Sequence, residues 1–173
     1  MQTDHNLSNR RSASLWGGPD DVLDGLAGAW SLERVIAGQG SNQGSMPQGS
    51  MSGTATFRRL ESGALAYREE GRLQLRGGEA FDAFRDYLYD GIPNGFAVFF
   101  AETPPRLFHE IKLRSAENGA LIGEAGHLCG NDHYETRYAF QRDGSFVIRH
   151  DVRGPCKDYT MTTHYARIAP SPA

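Results

Sequence analysis

From Thr54 to Ile168 the chain is a succession of short segments in which inward-type and polar residues alternate with period two, each ended by turn residues. Ala55 and Phe57 alternate with Thr54, Thr56 and Arg58, and Glu61-Ser62-Gly63 reverses the chain into Leu65, Tyr67, Glu69, Gly71 and Leu73. Phe81, Arg85, Tyr87 and Tyr89 share a face opposite Asp82, Asp86 and Asp90; Gly91-Ile92-Pro93-Asn94-Gly95 then turns the chain into Phe96 to Ala101. Leu107, His109, Ile111 and Leu113 follow the break at Pro104-Pro105. Asn118-Gly119 is a hairpin signal, because a tight two-residue reversal needs positive φ. It leads into Leu121, Gly123, Ala125, His127 and Cys129, then Asp132, Tyr134, Thr136, Tyr138 and Phe140, then Phe146, Ile148, His150 and Val152. An antiparallel meander of this length must close or split to hide its edges. The pattern therefore predicts an all-β fold, a single up-and-down barrel of about 8–10 strands.

The first part of the chain adds one helix. Pro19-Asp20-Asp21 supplies helix-start chemistry, and Val22, Leu23 and Leu26 lie on one face, so a short helix closes one end of the barrel. Residues 1–19 read as a flexible arm, with Leu15-Trp16 able to fold back, and residues 20–169 as the barrel domain. Residues 38–50, rich in Gly and Ser, read as a loop at the barrel mouth.

Composition excludes several classes. A net charge of −3 argues against nucleic acid, which selects a basic face. The longest apolar run, Phe96 to Ala101, is far short of the ~20 residues that cross a bilayer, so no membrane partner is expected. No apolar stretch in the first residues resembles a secretory signal, and two cysteines fit free thiols, so the expectation is a cytoplasmic monomer or homodimer.

Gly28-x-Trp30 at the first strand and Arg167 in the last resemble the closing signature of the lipocalin-like (calycin) β-barrels. That resemblance implies that the Arg167 guanidinium packs on the Trp30 indole and seals the floor. The segments Gly53-x-Ala55-x-Phe57, Leu65-x-Tyr67-x-Glu69-x-Gly71, Arg85-x-Tyr87-x-Tyr89, Phe108-His109 and His127-x-Cys129-x-x-Asp132-x-Tyr134 also resemble a bacterial and fungal domain family of lipocalin-like character. Gly154-Pro155-x-Lys157-Asp158-Tyr159 completes the likeness, which spans residues 26–168 and implies a fold but no activity.

The inferred interior carries Arg34, Glu69, Arg85, His127 and Asp132 among tyrosines. Buried charges cost several kcal/mol each unless paired. Either Arg34–Glu69 and Arg85–Asp132 are structural ion pairs under a filled core, or these groups face a ligand in a wet cavity. The leading expectation is a small-molecule-binding barrel for an aromatic or anionic ligand. Arg34 and Arg85 would meet the negative group; Tyr67, Tyr87, Tyr89, Tyr134 and Tyr138 would stack; Glu69, His109 and Cys129 would complete the lining.

The alternative is an acid/base enzyme of isomerase, cyclase or dehydratase type. There His127 would be oriented by Asp132, with Tyr134 as proton donor. His127, Cys129 and Asp132 are eligible zinc ligands, but without a second cysteine pair no metal is assigned, and no cofactor is expected. A third reading is a haem barrel of the nitrobindin type, with His164 or His150 as the axial ligand.

Overall fold

The computed structural model describes residues 14–38 and 47–169. One short helix, α1 (Val22–Leu26), precedes β1 (Gly28–Gly38), β2 (Pro47–Arg59), β3 (Leu65–Leu75), β4 (Ala80–Ile92), β5 (Gly95–Phe100) and β6 (Arg106–Lys112). A two-residue strand, β7 (Arg114–Ser115), leads to β8 (Leu121–Cys129), β9 (Asp132–Phe140), β10 (Phe146–Gly154) and β11 (Lys157–Arg167). All pairings are antiparallel, in the order β6-β5-β4-β3-β2-β1-β11-β10-β9-β8-β7. The described residues form the expected all-β antiparallel barrel, with eleven strands, one of them only two residues long, against the eight to ten expected.

Closure follows from this order. β6 and β7 lie at opposite edges of the sheet but are consecutive in the chain, so the two edges meet at Leu113. There β6 crosses so close to β8 that a Cβ on Gly123 would stand 2.5 Å from Ile111 Cγ2 and 2.8 Å from the Lys112 carbonyl oxygen. Only glycine allows that approach. No hydrogen-bond ladder joins β6 to β8 among the described residues, and the barrel is nearly closed.

The floor is hydrophobic. Trp30 is fully buried, its Nε1 donates to the Leu26 carbonyl at 2.9 Å, and Arg167 lies opposite it in the β1/β11 register. The Arg167 guanidinium carbon is 4.2 Å from the indole centroid, and its nitrogens donate to the carbonyls of Ala27 and Gly25. Trp16 belongs to the same layer. It is 3% exposed, stacks on Trp30 at 5.8 Å, contacts Phe140 edge-on at 4.9 Å and donates its Nε1 to the Gln141 carbonyl. The arm expected over residues 1–19 thus ends in a core residue, because an indole so placed removes a large apolar area from water.

Two expectations change. Gly38 ends β1 and residues 47–50 belong to β2; the rest of the expected 38–50 loop, residues 39–46, lies outside the described residues. In β6 the alternation breaks. Val98 pairs with His109 and Phe99 with Leu107, leaving Phe108 as the extra residue of a β-bulge. Phe108 and His109 are therefore both buried, with ring centroids 4.2 Å apart, while Leu107, expected inside with His109, turns out and is 45% exposed.

Candidate functional site

The polar side chains of the interior form two groups at different depths. The deeper is a closed network. Arg34 on β1 donates from Nη1 and Nη2 to the two Glu69 oxygens on β3, each at 2.7 Å, and from Nε to Thr163 Oγ1 on β11 at 2.8 Å. Tyr67 donates to Glu69 Oε2 at 2.5 Å and shares a 3.0 Å hydrogen bond with Tyr165. Burial alone would raise the Glu69 carboxyl, but the hydrogen bonds and charge of Arg34 outweigh it and hold the pKa below its ordinary value. Burial, and then the neighbouring Tyr165 and Glu69, raise the Tyr67 phenol, so Tyr67 stays a donor. Each charge here is matched, as the ion-pair reading of Arg34 and Glu69 requires.

Above this network the interior opens into a cavity of about 330 Å³. Arg85, Asp86 and Tyr87 from β4, Phe100 from β5 and Arg106 and Phe108 from β6 form one side. His127 and Cys129 from β8, Tyr134 from β9 and His150 and Val152 from β10 continue around it, with Tyr159 and Met161 from β11. The aromatic side is a continuous wall: Tyr87 and Phe108 are stacked at 5.8 Å with planes 11° apart, and Phe100 lies 4.8 Å from Phe108.

Of the residues anticipated from sequence, Arg85, Tyr87, His127, Cys129 and Tyr134 line this cavity. Arg34 and Glu69 lie in the closed network, while Tyr67, Tyr89 and Tyr138 are buried among the aromatic core. His109 is buried behind Phe108, with Nε2 hydrogen-bonded to Tyr138 at 3.2 Å and Nδ1 unpartnered.

Three expected associations are absent. Arg85 has no carboxylate at ion-pair distance among the described residues, and Asp132 pairs with Lys157 at 2.6 Å. Asp132 therefore does not orient His127, which has no hydrogen bond to it; Lys157 also donates to the Tyr134 hydroxyl at 3.2 Å. His164 is exposed on the outer face, opposite Glu33, so it cannot reach a haem inside. His150 faces the cavity, with its Nδ1 bonded to Thr136 Oγ1 at 2.9 Å. No cluster of three His, Cys, Asp or Glu side chains among the described residues is arranged to hold a metal ion.

The alternation did not identify Asp86, Phe100, Arg106, Phe108, Val152, Tyr159 and Met161 as lining residues. Val152 and Phe100 carried an alternation signal without polarity, and Phe108 is inside only because of the bulge.

The electrostatics of the cavity are simple. His150 is pushed down to about 4, by burial first and then by the Arg85 and Arg34 charges. His109 is pushed down to about 3, by burial and then by His150 and His127. Both are neutral at pH 7. Arg106 pairs with Glu102 at 2.9 Å, and Asp86 with Arg68 at 3.1 Å.

A family model matches residues 26–167, the whole span from the end of α1 through β11. The chain belongs to DUF6314, a family of unknown function. The DUF6314 match thus takes in every strand and every cavity-lining residue and leaves Trp16 outside it. No curated protein matches the chain. No helix among the described residues is long and apolar enough to cross a membrane.

Proposed function

We propose that this DUF6314 protein binds a small molecule in the upper half of its barrel. The observation that carries this reading is the contrast between the two layers: the Arg34–Glu69 layer is closed and fully paired, while the layer above it keeps open volume beside an unpaired arginine. A barrel that needed only stability would fill that space, since an unfilled apolar wall forfeits packing. The Trp30–Arg167 contact at the floor supports the lipocalin-like reading, in which the ligand enters from the opposite end.

Native mass spectrometry of the purified protein tests this, together with a fragment screen by protein-observed NMR. A retained small-molecule adduct, or shifts confined to residues such as Tyr87, Phe108 and Val152, is the expected result. No adduct and no fragment contacting these residues would end the reading.

A second reading, acid/base catalysis in the same cavity, rests on one observation. His127 Nε2 is buried at the cavity wall without a hydrogen-bond partner, which leaves that nitrogen able to take or give a ligand proton. Its test is a substrate found by the screen: His127→Gln would abolish turnover while binding stays within about threefold.

A further inference from the structure

The charges around the cavity are not symmetric. Lys157 is matched by Asp132, Arg106 by Glu102 and Asp86 by Arg68. Arg85 is the exception among the described lining residues: the carboxylate across from it in the β3/β4 register is Glu69, and both Glu69 oxygens are held by Arg34 and Tyr67. Arg85 stands within the ring of strands, yet its side chain is open to solvent through the cavity. An unmatched guanidinium in a half-enclosed site attracts an anion, and its planar fork fits a carboxylate in two parallel hydrogen bonds.

Resting on the small-molecule reading above, we propose that the ligand is a compact aromatic monoacid, its carboxylate on Arg85 and its ring against the Tyr87–Phe100–Phe108 wall. One unmatched cation selects one negative charge. A phosphate or a diacid calls for several cations, and the neighbouring His150 and His109 supply none at neutral pH. Tyr87, stacked with Phe108 at 5.8 Å, also has the Arg85 guanidinium carbon 5.9 Å from its ring centroid, so the cation adjoins the aromatic wall. The volume, about 330 Å³, is at the small end for ligand pockets and suits one or two fused rings.

Titration calorimetry at pH 7 with 2-naphthoate and its neutral isostere 2-naphthamide tests the assignment on the full chain, beside Arg85→Met and Arg85→Gln. In the wild type the carboxylate should bind at least about tenfold tighter than the amide, the range for a charge-assisted contact. Arg85→Met should erase that preference and leave amide affinity within about twofold; if it does not fold, Arg85→Gln decides by the same criterion. Equal affinity of the two probes for the wild type overturns the monoacid assignment and leaves the cavity reading standing. A preference that survives both substitutions also overturns it, placing the anion elsewhere. Binding of neither probe overturns the assignment and counts against the cavity reading as well.

Discussion

Glu69 and Arg85 are direct partners in the β3/β4 register, yet the Glu69 carboxylate bonds to Arg34 and Tyr67 and leaves Arg85 without an anion. Two arginines of one interior therefore have opposite characters. Arg34 is 7% exposed inside a closed network, and Arg85 is open to the cavity. Their substitutions should separate cleanly.

Arg34→Met or Glu69→Leu alone should destabilise the protein by about 3–5 kcal/mol, because each strands a buried charge. The double variant, which replaces both charges by apolar volume, should recover most of that loss. Urea unfolding of the three variants checks this; additive losses in the double variant would mean the pair is not coupled.

Arg85→Met should change stability by less than about 1 kcal/mol, the range for a solvent-open arginine whose structural contact is the Tyr87 ring, 5.9 Å away, and which has no carboxylate at ion-pair distance. Measured in the same urea series, a loss of several kcal/mol would reassign Arg85 to the structural network.

Stability should fall with acidity well above the carboxylate range. His109 titrates at about 3 and His150 at about 4 when folded, against 6.5 as the ordinary value. Between these values the unfolded chain binds more protons, so the stability from the two neutral imidazoles is whole above about pH 6.5. It is lost as pH drops toward 4 and then 3, by about 1.4 kcal/mol per unit for each imidazole. Glu69 acts in the same direction at lower pH: its folded value is depressed, so its contribution is lost as pH falls below the ordinary 4.5 and through that folded value. Unfolding midpoints between pH 5 and pH 8 check this, and His109→Gln should remove about half of the slope.

Trp16→Ala should cost about 3–5 kcal/mol, as for other large-to-small changes in a core. The indole sits between Trp30, Phe140 and Phe146 and is not a surface attachment. A thermal melt unchanged by the substitution would show that the floor closes without it.

Most of the barrel was legible in the alternation, and the site only in part. The faces of β3, β4, β8 and β9 follow from period-two spacing, because side chains on a strand must point to opposite sides. The same rule failed at Phe108, where one extra residue shifts the register and puts two consecutive rings inside. Alternation also gives a face without a depth. It grouped Tyr67, Tyr89 and Tyr138 with Tyr87 and Tyr134, although the first three lie in the core and the last two at the cavity.

The pairing of charges was out of reach for a related reason. Arg34, Glu69, Arg85 and Asp132 could be named as interior groups from sequence, but two cations and two anions can pair in more than one way. The choice depends on which strands meet and at what height. Strand order brings β1 and β3 to either side of β2 and lets the Arg34 fork reach Glu69, while the β10–β11 hairpin carries Lys157 to Asp132. By itself the sequence determined an all-β meander and the inward face of most strands, since these depend on local period; the Trp30–Arg167 contact was implied only by a family resemblance. The tertiary structure alone decided which arginine stays unmatched, because ion pairing is settled by distances between strands far apart in the chain.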